Sequence, residues 1–154
     1  MIRAGPYPSF ADFVSDHTTT STNGYPSALK LVEALADNFP AFDDRRELQE
    51  GKEVLFLKKA QIAVAELYQR LRTQAGQFDF RDVKNLTVAC DNVLPCVLRS
   101  LGILKLDPEL KSRIDERKTL PAGVEEAQLR AAAIVATETI LEKANGAYWA
   151  KELG

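Results

Sequence analysis

Leu57, Ala60, Val64, Leu67, Tyr68 and Leu71 recur at spacings of three and four residues. That is the period of a helix with one apolar face, and it predicts the longest helix of the chain over residues 52–73. The same period returns along the chain with clear start and stop signals. Ser27 predicts the cap of a helix carrying Leu31, Val32, Leu35 and Phe39, which Pro40 follows. Val83 and Leu86 point inward from a helix over about 82–91. Pro95 fits the first turn of a helix with Val97, Leu98 and Leu101, which Gly102 stops. Asp107-Pro108 is a cap followed by a first-turn proline, opening a helix with Leu110 and Ile114. An alanine-rich stretch over 125–144 carries Ile134, Val135, Ile140 and Leu141 and is expected to stop at Asn145-Gly146. No segment alternates apolar and polar residues as a half-buried strand does. The expected fold class is all-α, a compact bundle of about five to seven helices with no sheet.

Residues 1–24 differ in composition. Pro6, Pro8 and the run from Thr18 to Gly24 read as a flexible N-terminal lead, within which Phe10, Phe13 and Val14 predict one amphipathic turn docked on the body. Residues 25–154 read as the helical domain. With 154 residues, 45% of them apolar, the chain is long enough for a buried core and too apolar for a disordered one. A net charge of −2 argues against non-specific nucleic-acid binding. No apolar run approaches the roughly 18–20 residues that span a bilayer, so no membrane partner is expected. The N-terminus lacks the apolar region of a secretory signal, and two cysteines make no disulfide framework. The expected location is cytoplasmic.

Several chemistries find no residues to carry them. There is no glycine-rich phosphate loop and no nucleophile elbow. Cys90 and Cys96 stand six apart, which matches none of the common zinc spacings, and no cluster of acids suggests a carboxylate metal site. Neither a metal nor a cofactor is expected. The two cysteines read as core fillers rather than as a thiol nucleophile. His17, the only histidine, lies in the polar lead, so a Cys–His or Ser–His catalytic pair is not expected.

Three segments carry a resemblance. The first is Phe39-Pro40-Ala41-Phe42-Asp43-Asp44, with Gly51-Lys52-Glu53-Val54 and Phe56-Leu57-Lys58-Lys59-Ala60-Gln61 behind it. The second is Leu86-Thr87, Asp91, Pro95, Val97-Leu98-Arg99, Leu101-Gly102 and Leu104. The third is Leu120-Pro121-Ala122-Gly123, Glu126 and Leu129-Arg130-Ala131. In order and spacing they resemble the C-terminal half of the queuosine salvage family, whose members hydrolyse queuosine 5′-phosphate to release queuine for tRNA modification. The resemblance implies a helical fold like the DNA-glycosylase-like C-terminal half of those enzymes. It also implies a hydrolase acting on an N-glycosidic bond, with a small nucleotide and not nucleic acid as its direct partner. Family members are about twice as long. The chain is therefore expected to be a truncated or diverged member, with self-association or a partner chain supplying the rest.

The resemblance further assigns residues. Asp91 matches the motif aspartate and is the implied catalytic carboxylate; breaking an N-glycosidic bond builds positive charge on the sugar, which a carboxylate stabilises. Lys58, Lys59, Gln61 and Arg130 are the implied substrate-binding residues. Lys59 stands where the family has arginine, and Asn92, Val93 and Cys96 replace its tyrosine, arginine and glutamine. From spacing alone, Asp91 reads as a cap for the Pro95 helix or a surface acid, and Glu126 with Arg130 as a surface ion pair. Tyr148 and Trp149 read as a seal on the core. An alternative for the whole chain is a non-catalytic helical interaction module derived from the same family.

Overall fold

The computed structural model of the protein describes residues 7–18, 24–48 and 51–153, with 147–153 as backbone only. Among them are six α-helices: α1 (Phe10–Thr18), α2 (Ala28–Asn38), α3 (Lys58–Leu71), α4 (Val93–Ser100), α5 (Pro108–Asp115) and α6 (Val124–Leu153). Strands β1 (Arg45–Glu47) and β2 (Glu53–Leu55) pair in a two-stranded sheet. The fold is mostly helical, as expected. By its contacts the chain divides into two units. The first takes in Met1–Arg45 and Phe56–Ala89, the second Arg46–Leu55 and Cys90–Gly154.

In the first unit α1, α2 and α3 share one core. Phe13, Leu31, Leu35, Ala60, Val64 and Phe80 are buried there, with Leu67, Tyr68 and Leu71 packed against them. The α3 stripe therefore does what its spacing predicted, each large apolar side chain contributing about 1.5–3 kcal/mol by leaving water. The turn expected around Phe10, Phe13 and Val14 is the helix α1. Phe13 meets Phe39 edge-to-face at 4.9 Å and Tyr7 at 5.2 Å. Residues 19–23 of the threonine run lie outside the described residues. Helix α2 ends at Asn38 because Phe39, with Pro40 behind it, is held extended at φ −131° and ψ 109°.

The start of α2 is doubly tied. Ser27 accepts from Lys30 N–H at 3.3 Å, as its capping position predicted. Asp82, 55 residues away, accepts from the Ser27 hydroxyl at 2.6 Å, from Ala28 N–H at 2.8 Å and from Leu29 N–H at 3.3 Å. Burial opposes ionisation of Asp82 most strongly, but the bonds from Ser27, Ala28, Leu29 and its own N–H outweigh it. The carboxyl stays below the ordinary value of 3.8. Its contribution is present above the unfolded value and is lost as pH falls through the lower folded one. Asp82→Ala is expected to cost about 1–3 kcal/mol near neutral pH, by urea denaturation, and the difference from wild type should shrink as pH falls from the unfolded value through the folded one. A difference unchanged down to the acid transition would count against this role.

The second unit holds the hairpin, α4, α5 and α6 around a smaller core of Cys90, Leu98 and Ala133. Pro95 is buried in the first turn of α4, and Gly102, at φ +72°, takes the left-handed turn that ends it. Asp107 caps α5 by accepting from Glu109 and Leu110 N–H, each at 3.0 Å, with Pro108 in the first turn. Arg99 and Lys111 both pair with Asp115, and Arg113 pairs with Glu125. Such partly exposed pairs orient helices more than they stabilise them, at about 0–1 kcal/mol each.

Four sequence expectations fail here. The sheet was not expected: its strands have three residues each and are rich in Arg and Glu, too short to display an alternation. For the same reason α3 begins at Lys58, because Glu53–Leu55 is strand. The helix expected over 82–91 is a single 3-10 turn, Val83–Asn85, followed by extended chain. Thr87 N–H, which a helix would use internally, donates instead to Gln61 Oε1 at 2.8 Å. Finally α6 runs through Asn145-Gly146 to Leu153. An isolated interior glycine costs only about 0.5–1 kcal/mol, and no proline follows to enforce a stop. The Tyr148 and Trp149 side chains lie outside the description.

Candidate functional site

In the second unit Asp91 sits in the link that enters α4. Its Oδ1 accepts at 2.8 Å from the N–H of Val93, the first residue of α4; the cap position itself is Asn92, whose side chain makes no capping bond, so Asp91 takes the expected capping role from one residue further out. The residue before it is held from α6. Arg130 Nε and Nη2 both donate to the Cys90 carbonyl, at 3.2 and 2.8 Å, and the Cys90 thiol donates to the Arg130 carbonyl at 3.5 Å. Arg130 is only 5% exposed. The surface ion pair expected at Glu126 and Arg130 is thus corrected. Arg130 Nη1 does stand 3.5 Å from Glu126 Oε1, but as part of a buried cluster that Arg46 joins from the hairpin, 3.9 Å from Glu126 Oε2. A buried guanidinium requires such partners, because its desolvation costs several kcal/mol. A signal was present in the sequence. Ala127 and Ala133, three residues to either side of Arg130, are both fully buried and put it on the inner face of α6.

Cys90 is buried, and burial pushes its thiol up despite the nearby Arg130. It fills the core, as expected, and is poorly suited to nucleophilic work. Cys96 is exposed and does not fill the core. Beside the cluster lies a cavity of about 320 Å³. Pro95, Ile114, Leu120 and Leu129 give it apolar walls, and Asn92, Lys118, Glu126 and Arg130 give it polar ones. This is the small end of the range for ligand pockets, roughly 300–1,000 Å³.

In the first unit Lys58, Lys59 and Gln61 fall in the first turn of α3. Leu57 precedes them in the left-handed region at φ 44° and ψ 35°, and offers no side-chain cap. For a non-glycine residue that backbone costs about 1–2 kcal/mol. It is held by the burial of Leu57 and by Asp44, whose carbonyl accepts from Phe56 and Leu57 N–H at 3.1 and 3.4 Å. Two lysines and no acid occupy this turn, the reverse of the charge a helix start prefers. Lys58 is half-buried and Lys59 exposed. Gln61 is buried, its amide bonded to the Phe56 carbonyl at 2.9 Å and, on both its N and O sides, to Thr87. It fastens the extended segment after the 3-10 turn to α3.

These elements define a mostly helical domain in which buried polar side chains fix the chain around an aspartate at a helix entrance and two lysines at another helix start. The chain belongs to the queuosine salvage protein family, whose model matches residues 9–152. It is 40% identical over 116 residues to queuosine 5′-phosphate N-glycosylase/hydrolase of Sphaerobacter thermophilus, covering 74% of this chain and 35% of that protein. It is 35% identical over 118 residues to the protein of that name from Mus musculus, covering 76% and 34%. For the Dictyostelium discoideum protein of the same name the figures are 33% over 117 residues, 75% and 36%. The matched stretch thus spans about a third of the length of these relatives. No helix among the described residues is long and apolar enough to cross a membrane.

Proposed function

We propose that the chain acts in queuine salvage as a queuosine 5′-phosphate N-glycosylase/hydrolase, or as the part of one that holds the scissile sugar. The observation that carries this reading is the placement of Asp91. The family's motif aspartate precedes α4 next to Asn92, which lines a small cavity, and the residue before it is bonded by a buried arginine. Asp91 is assigned to the ribose, where its charge stabilises the cationic sugar and orients water. The leaving base is a 7-deazapurine and lacks the N7 that ordinary purines protonate, so fixed hydrogen bonds to the base carry more of the barrier. Lys58, with Lys59 as the weaker partner, is assigned to the 5′-phosphate, a role supported by their place in the first turn of α3, where free backbone N–H groups also face an anion. Gln61 and Arg130, assigned to substrate by the family motifs, are better read as positioning residues, because both spend their side chains on backbone. Free cysteines fit a cytosolic location.

Val93 and Cys96 stand where the family has hydrogen-bonding side chains, and turnover is expected to be slow. Incubation of the 154-residue chain with queuosine 5′-phosphate, read by mass spectrometry of free queuine, tests the reading. Lys58→Ala should lower release from the nucleotide by roughly ten- to a hundredfold while leaving release from the dephosphorylated nucleoside unchanged. No release above a protein-free control would favour the second reading, a non-catalytic binding module. That reading draws on the capping bond that engages Asp91. Association with itself or with a partner chain belongs to either reading. It is supported by Val93, Val97 and Leu101, exposed on successive turns of α4.

A further inference from the structure

Glu126 carries the one buried carboxylate oxygen among the described residues that lacks a hydrogen-bond donor. Its Oε2 is 3.9 Å from Arg46 Nε, itself without a hydrogen-bond acceptor, so the two form an ion pair too long for a hydrogen bond. Leaving such an acceptor unmade costs about 1–3 kcal/mol or more. Glu126 also forms part of the wall of the cavity, with its side chain 24% exposed. The terminal torsion of a glutamate is soft, so a small rotation turns either oxygen to the cavity. Of the other polar groups lining the cavity, Arg99, Lys118 and Arg130 are donors only, and Asn92 can donate or accept. A complementary ligand must therefore present hydrogen-bond donors to Glu126 and an acceptor to the cations beside it. Between Pro95 and Leu129 it must also be apolar.

A guanine-type ring meets these conditions. Its N1–H and exocyclic 2-amino group lie side by side and match the two oxygens of one carboxylate, and its O6 is the adjacent acceptor. Adenine would instead turn its N1 lone pair toward the carboxylate and be repelled. We infer that Glu126 is a specificity-determining residue that reads the N1–H and 2-amino edge of a 7-deazaguanine base seated in the cavity between α4, α5 and α6. The identity of the base rests on the proposed function; the recognition of its edge rests on the unsatisfied carboxylate.

Calorimetric titration of the 154-residue chain with 7-deazaguanine and with 7-deazahypoxanthine, which lacks the 2-amino group, tests this. The wild-type chain should bind the first roughly ten- to a hundredfold more tightly, the effect of a hydrogen bond to a charged group. Glu126→Gln should close most of that gap, since an amide offers one acceptor in place of two. A gap that persists in Glu126→Gln overturns the inference, as does equal binding of the two bases, or binding of neither, by the wild-type chain. If Glu126→Gln fails to fold, Leu120→Trp, which fills the cavity and leaves Glu126 in place, should abolish 7-deazaguanine binding; undiminished binding overturns the inference. Queuine release together with a gap insensitive to Glu126 defeats this inference alone. A Glu126-dependent gap in a chain that releases no queuine defeats the proposed activity alone.

Discussion

Asp91→Asn is expected to lower queuine release from queuosine 5′-phosphate by roughly 10²–10⁴-fold while leaving thermal stability close to wild type. The two roles of Asp91 are separable because they use different properties of the side chain. Capping needs an oxygen that accepts from Val93 N–H, now at 2.8 Å, and asparagine caps about as well as aspartate. Charge stabilisation of the sugar needs the anion, which asparagine lacks. Asp91→Ala removes both and should add a stability loss of about 0.5–2 kcal/mol to the same kinetic loss. Single-turnover release measured by mass spectrometry, paired with melting followed by circular dichroism, distinguishes the two variants. Wild-type turnover by Asp91→Asn would reduce Asp91 to a helix cap.

What the sequence reveals about this fold is what local chemistry decides. Ser27, Asp107-Pro108, Pro95 and Gly102 act within one turn of their own positions, and each does in the structure what its residue type predicts. The stripe through Ala60 and Val64 is likewise a local period, read without knowing what it packs against. Two bonds that shape the fold are non-local. Asp82 ties α2 from 55 residues away, and Gln61 takes Thr87 out of a helix from 26 residues away. No periodicity records either bond. The hairpin escapes because three residues cannot show a pattern.

The candidate site divides along the same line. Asp91 and Lys58 could be found by motif, and the capping role of Asp91 by its spacing to Pro95. That Arg130 is buried, and that it spends its guanidinium on the Cys90 carbonyl, depends on which face of α6 turns inward. The i,i+4 spacing to Glu126 is the same for a surface pair and a buried one. Only the flanking alanines distinguish them, and alanine is common on either face.

Arg130→Ala should therefore be far more costly than a surface substitution, about 3–5 kcal/mol by urea denaturation. The loss has three sources. The Cys90 carbonyl loses both of its guanidinium donors, at 3.2 and 2.8 Å. Glu126, already short of one donor, keeps its charge without its nearest cation. The volume of the guanidinium and its stem is left empty beside Leu129 and Cys90. Arg130→Lys should recover little, because an ammonium cannot make the forked contact with one carbonyl while facing the carboxylate. Glu126→Gln added to Arg130→Ala should recover part of the loss, since it removes the uncompensated charge. Release of the Cys90 segment gives a second readout. The Cys90 thiol is 1% exposed and pushed up by burial, so in the wild-type chain a thiol reagent should label Cys96 and spare Cys90. In Arg130→Ala both should react under native conditions. A stability change below about 1 kcal/mol with Cys90 still protected would mean that the clamp does not hold the link into α4.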